Sequence, residues 1–246
     1  MSTQRFSNAN IYVTESSNCH IVKYARCLVI YATTLLFLLG NLLFNLMIIS
    51  IASFKGGVGK TTTAMHLSAY LSKKGKTLLV DDDPNKSALH WQERAHAADL
   101  TLPFEVIETI ALARFAATAR HIVIDTPARP SSDDLTTLSK QSDLLLIPAT
   151  SDALALDALL LIVGALRQVQ ARNFAVLLTQ VAPNSYEGRD ARSLLEKHEL
   201  TVCKTEIKRR AVYKRAALFG QTVDKIKDGA TAWSDYADLG KEVLKK

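Results

Sequence analysis

The sequence predicts an α/β protein organised around a phosphate-binding loop. The stretch Met47-Ile-Ile-Ser-Ile-Ala-Ser-Phe-Lys-Gly-Gly-Val-Gly-Lys-Thr-Thr-Thr-Ala64 passes from an uncharged apolar run, through a glycine-rich loop, into a helix-forming segment. The same alternation then recurs, with short apolar runs followed by helical periodicity and two of those runs ending in Asp.

Met47 to Ser53 is rich in Ile and free of charge, as a buried strand requires. Gly56, Gly57 and Gly59, with Val58 among them, let the backbone bend tightly so that its N–H groups point inward at phosphate oxygens. The helix N-terminus behind them, through Thr61 and Thr62, adds partial positive charge. Lys60 is placed to hold the β- and γ-phosphates, and the Thr61 hydroxyl to take a Mg²⁺ ligand position. The general pattern G-x-x-x-x-G-K-[ST] is not met, because Phe54 stands where its first glycine belongs. A second lysine, Lys55, opens the loop instead. That combination, K-G-G-x-G-K-T-T, resembles the deviant Walker A motif of the ParA/MinD family of dimerising ATPases.

Length and composition agree with one domain or two. The chain has 246 residues, 48% of them hydrophobic, and a net charge of +6. Cys19, Cys27 and Cys203 have neither metal spacing nor a paired framework, which suits a reducing cytosol. Residues 1–26 are polar and irregular and read as disordered. Residues 27–54 carry no charge, so 27–46 is a transmembrane candidate by hydropathy. Yet the strand at Met47 follows without a linker, and Lys23 and Arg26 favour an orientation that puts the ATPase outside the cell. An over-extended start, with the natural one at Met47, is the preferred reading of 1–46. A membrane anchor and a soluble helix are its alternatives, and 47–246 is the ATPase domain.

Helical spacing continues from Lys60 to Lys74, and Gly75 ends the helix. Thr77 to Asp81 reads as the second strand, delivering Asp81-Asp-Asp83-Pro84 at its carboxyl end, the edge where ligands bind in α/β sheets. The segment Val80 to Trp91 resembles the D-x-D-P-Q-x-S-A-x-x-W signature of the partition branch. By that resemblance Asp83 orients the attacking water and Asp81 lies near the metal's water shell. Asn85-Lys86 replace the usual Gln-Gly, which puts the geometry of this turn in question. A helix near 88–98, a short strand near 103–107 and a helix at 111–119 follow.

His121-Ile-Val-Ile-Asp125-Thr-Pro127 is an apolar strand ending in an acid and reads as Walker B. Asp125 would hold Mg²⁺ through water, opposite Thr61. Further strands are expected at 142–148 and 174–181, with helices at 152–168, 185–198 and 230–246. The helix at 152–168 is apolar on nearly every face, so it is buried in the core or in a dimer interface.

Lys208, Arg209, Arg210, Lys214 and Arg215 form a cluster suited to sequence-independent phosphate contacts, unless it is an ordinary solvated face. The pattern from Thr205 to Val223 is similar to the closing segment of the partition ATPases. The resemblance covers Met47 to about Val223 and implies a doubly wound, mainly parallel sheet in a three-layer αβα domain. It implies ATP and Mg²⁺ as cofactors and a homodimer formed on ATP, with Lys55 of each chain reaching the other's phosphates. It further implies nonspecific DNA binding on the nucleoid, a centromere-binding ParB-type partner that stimulates hydrolysis, and slow turnover without that partner. The alternatives are a MinD-like ATPase positioned at a membrane and a nucleotide switch without DNA cargo. Acids in the last helix (Asp235, Asp238, Glu242) argue against membrane insertion. Cluster-bearing relatives need two ligand cysteines, and this domain has only Cys203.

Overall fold

A computed structural model describes residues 46–245. The readings of residues 1–26, and of 27–46 apart from Leu46, lie outside the described residues. No helix among those described is long and apolar enough to cross a membrane.

The elements alternate almost throughout: β1 (Met47–Ser53), α1 (Lys60–Leu71), β2 (Thr77–Asp81), α2 (Ser87–Ala97), β3 (Glu105–Glu108), α3 (Leu112–Phe115), β4 (His121–Ala128) and α4 (Ser132–Gln141). They continue as β5 (Leu144–Thr150), α5 (Ala153–Gln168), β6 (Phe174–Thr179), α6 (Glu187–Lys197), α7 (Val212–Leu218) and α8 (Ala230–Val243). The strands form one parallel sheet in the order β3-β2-β4-β1-β5-β6. The expected doubly wound, three-layer αβα fold is therefore present.

Both faces of the sheet are covered, which is why its strands read as continuous apolar runs. On β5, Leu144 and Leu146 join the core under α1, α2 and α8, whereas Leu145 and Ile147 join the core under α4, α5 and α6. This is the two-residue alternation of a strand expressed between two buried layers.

Two local outcomes depart from the sequence reading. The helix expected at 111–119 breaks into a 3₁₀ turn, the single turn of α3 and a second 3₁₀ turn. Helix α4 was not anticipated, although its start is written in the chain. Ser131 and Asp134 form a reciprocal capping box, each side chain accepting from the other's backbone N–H.

After α6 the chain runs along the outer edge of β6 without forming a regular strand. Val176 N–H donates to Thr201 O, Ile207 N–H to Leu178 O and Arg209 N–H to Val181 O. This edge carries the basic stretch to the carboxyl end of the sheet, beside the phosphate loop.

Candidate nucleotide site

The loop leaves β1 at Ser53, whose hydroxyl donates to Lys55 O at 3.0 Å. Gly57 and Gly59 have φ of 78° and 88°, a region that disfavours any side chain. Gly59 is the residue at which α1 begins. Behind it Lys60 is buried, with no hydrogen bond or ion pair of its ammonium among the described residues.

Gly56, Gly57, Gly59, Lys60, Thr61, Thr62 and Asp83 line a single cavity of about 550 Å³. The sequence-predicted phosphate residues and the predicted water-orienting carboxylate therefore converge. Val58 is buried and turns its carbonyl toward β6.

Asp81 and Asp125 are register partners on β2 and β4, and both are fully buried. Their surroundings differ. Asp81 Oδ2 accepts from Ala88 N–H and Leu89 N–H, each at 3.0 Å, and Oδ1 accepts from Asp83 N–H at 3.2 Å. Asp81 thus caps the start of α2. Asp125 has neither oxygen hydrogen-bonded. Burial pushes its carboxyl up to about 7, and the nearby Asp81 and Asp83 add to the rise. The Thr61 hydroxyl and Lys60 oppose it, Thr61 without meeting hydrogen-bond geometry. A buried carboxylate without a partner is a costly arrangement unless a cation or its water completes it. Asp125 beside Thr61 therefore fits Mg²⁺, which when bound offsets phosphate charge during transfer.

Asp83 Oδ1 accepts from Asn85 N–H at 2.9 Å and from Asn85 Nδ2 at 2.8 Å. The turn closes as Lys86 N–H donates to Asp83 O, with Lys86 itself in the left-handed region at φ 49°. The replacement of Gln-Gly by Asn-Lys thus leaves the turn formed. Lysine adopts the conformation in which glycine is unstrained.

Lys55 is not part of the cavity wall. Its ammonium lies 2.8 Å from Asp152 Oδ1, and Asp152 also caps α5 by accepting from Ala155 N–H. The Lys55 and Thr150 contacts hold the Asp152 carboxyl down at about 2.

Part of the cavity wall is basic. Lys208, Arg209, Arg210 and Lys214 line it together with Tyr213 and Tyr236. Arg215 points elsewhere, donating to Lys227 O at 2.5 Å. The cluster is also less free than its composition implies, since Lys208 pairs with Glu206 at 2.7 Å and Arg210 with Asp235 at 3.4 Å. Arg209 and Lys214 are exposed and have no acidic partner among the described residues. On α8, Glu242 accepts from Lys204 N–H and Thr205 N–H, so its acids dock this helix onto the chain.

Three further residues matter that sequence reasoning left aside: Asp152, Thr179 and Gln180. Thr179 Oγ1 donates to Val58 O at 2.7 Å, and Gln180 Nε2 donates to Gly57 O at 2.5 Å.

A strand, glycine-rich loop and helix at the carboxyl edge of a parallel sheet, with a buried acid at the next strand end, define a P-loop nucleotide-binding protein. Residues 49–223 match the CobQ/CobB/MinD/ParA nucleotide binding domain, and the chain belongs to that family. Its site is the nucleotide site of that family, and structures of the same fold hold ATP in a Cyanothece McdA variant and Mg-ADP in the MinD protein of Pyrococcus horikoshii.

Among relatives, the chain is 31% identical over 204 residues to the "Maintenance of carboxysome distribution protein A" of Gloeobacter kilaueensis, covering 80% of this chain and 93% of that one. The protein of the same name from Halothiobacillus neapolitanus is 30% identical over 212 residues, covering 80% and 95%. Among solved structures, a plasmid partition protein from Borrelia burgdorferi bound to AMPPNP superposes with TM-score 0.61 at 23% identity, covering 81% and 98%. The MinD cell division protein of Aquifex aeolicus gives TM-score 0.65 at 17% identity, covering 81% and 98%, which shows the shared fold.

Proposed function

We propose that the protein is an ATP-switched partition ATPase. ATP closes a homodimer in which Lys55 of each chain reaches the other's phosphates, and the closed dimer binds DNA without sequence preference. Lys60 and the loop N–H groups hold the triphosphate, Thr61 and Asp125 hold the metal, and Asp83 orients the attacking water. A centromere-binding partner of the ParB type stimulates hydrolysis and release, and turnover without it is slow. Because Asp81 is engaged by α2, it acts in this reading as a support for the Asp83 turn.

The observation that carries the proposal is the shared cavity. Arg209 and Lys214, exposed and without acidic partners among the described residues, line the same cavity as the phosphate loop. A change at the nucleotide thus lies next to the cations offered to DNA. The membrane-positioning alternative draws less support, because Asp235 and Glu242 of α8 are occupied in holding that helix to the chain. Two relatives are named for carboxysome distribution, so a protein body is the alternative to DNA as cargo.

Capture on nonspecific duplex DNA and on anionic vesicles, each with ATP and with ADP, tests the reading. ATP-dependent retention on DNA is expected, and retention on vesicles alone would replace it with the membrane alternative.

A further inference from the structure

A phosphate loop works only if its peptide planes are turned correctly. A trans peptide carries its C=O and the following N–H on opposite edges, so fixing one fixes the other. In this loop the carbonyls of Gly57 and Val58 are tied down from another strand, and both ties come from the carboxyl end of β6. Thr179 Oγ1 donates to Val58 O at 2.7 Å, closer than its 3.3 Å contact with Ala149 O. A hydroxyl has one proton, so the shorter contact takes it. Gln180 Nε2 donates to Gly57 O at 2.5 Å.

The two donors differ in setting, which makes them separable. Thr179 is buried, with its position set by pairing with Thr150 of β5. Gln180 is partly exposed and adopts φ 53°, a left-handed conformation that a residue with a side chain seldom takes. Its acceptor, Gly57, is itself left-handed at φ 78°. Such positions persist where surrounding structure over-determines them, and they concentrate at sites of function.

We propose that Thr179 and Gln180 are positioning residues for nucleotide binding. By holding the Val58 and Gly57 carbonyls against β6, they turn the N–H groups of Gly59 and Val58 the other way, to meet the phosphate oxygens. The inference rests on the loop being the nucleotide site, and it adds a second strand to the one that carries the loop.

The test uses the full chain and titrates a fluorescent ADP analogue with Mg²⁺, with Thr179→Val, Thr179→Ser and Gln180→Ala beside the natural sequence. Thr179→Val keeps shape but leaves a carbonyl without its donor, so affinity should fall about tenfold. Thr179→Ser restores the hydroxyl and should bind within about twofold of the natural protein. Gln180→Ala should weaken binding about threefold, and its partly exposed side chain makes it the variant to read if Thr179→Val does not fold. In ATP hydrolysis KM should rise while kcat holds within about twofold, as for an interaction made equally in ground and transition states. Unchanged affinity in both Thr179→Val and Gln180→Ala overturns the proposal, as does failure of Thr179→Ser to restore binding at unaltered melting temperature. Lys60→Ala separates the two levels: if it alone abolishes binding, the site stands and the clamp falls. If the natural chain binds no nucleotide, both fall.

Discussion

The ammonium of Lys55 is bound at 2.8 Å to Asp152 Oδ1 of its own chain, away from the cavity that Lys60 lines. In the proposed dimer this lysine crosses to the other subunit, so the contact must break when the dimer forms. Both side chains are near half exposed, and such a pair is worth roughly 0–1 kcal/mol. It biases the lysine without locking it. Lys55→Ala should therefore spare nucleotide binding while losing ATP-dependent dimerisation and hydrolysis. Asp152→Asn retains an N-cap oxygen for α5 and weakens the pair; two pairs break per dimer, so ATP-dependent dimerisation should tighten by up to about thirtyfold. Analytical ultracentrifugation of the two variants with ATP and ADP checks both.

Asp125 is expected to show opposite effects on stability and on chemistry. Its folded-state pKa, about 7, lies above the usual carboxylate value because burial disfavours the charge. Between those values the native state holds the extra proton, so this group's stabilising effect fades as pH rises toward 7. Asp125→Asn should raise the melting temperature of the metal-free protein at pH 8 and remove Mg²⁺-dependent hydrolysis. A variant less stable than the natural chain at pH 8, or one that still hydrolyses ATP, would refute the assignment.

His66 supplies the acid limb. It is fully buried, stacked on Tyr236, and accepts from Val223 N–H at 3.1 Å through Nε2. Burial lowers its pKa to about 4, with the Thr62 carbonyl and Asp224 pulling the other way. Below pH 6.5 the unfolded chain takes up a proton that the native state refuses until about pH 4. Stability contributed by this group therefore falls across that window, by ~3 kcal/mol at its acid end. Replacing His66 with Phe removes the titration, so the midpoint of urea unfolding should depend less on pH between 6.5 and 4. An unchanged slope would place the acid sensitivity elsewhere.

The basic stretch is predicted to divide. Arg209→Ala with Lys214→Ala should weaken binding to any duplex and flatten the salt dependence by about one unit per lost phosphate contact. Lys208 and Arg210 are already matched by Glu206 and Asp235, so their replacement should change DNA binding less. Equal losses from both pairs would mean that DNA displaces the internal partners.

What the sequence disclosed and what it withheld follow a physical division. Strands β1, β2 and β4 were readable because burial on both faces writes an unbroken apolar run, and the loop because only glycine tolerates φ near 80° at Gly57 and Gly59. The capping role of Asp81 is not separable in the sequence, since three adjacent acids look alike until α2 chooses one. The Ala-rich spacing around α3 suits a continuous helix and a series of 3₁₀ turns equally, so the break is not visible in it. The contacts Thr179–Val58 and Lys55–Asp152 join residues on different elements, and no local periodicity encodes them. The acids of α8 were seen as opposing membrane insertion, but their partners, Arg210 and the backbone at Lys204 and Thr205, depend on how the helix docks.

The central claim is that ATP, through Lys55, creates a DNA-binding dimer. Its most direct test is binding of the natural chain and of Lys55→Ala to one nonspecific duplex, by fluorescence anisotropy at fixed salt with ATP and then with ADP. The account predicts tight binding by the natural chain with ATP only, and weak binding by Lys55→Ala with either nucleotide. Equal binding with ATP and ADP, or ATP-dependent binding that survives Lys55→Ala, would contradict it.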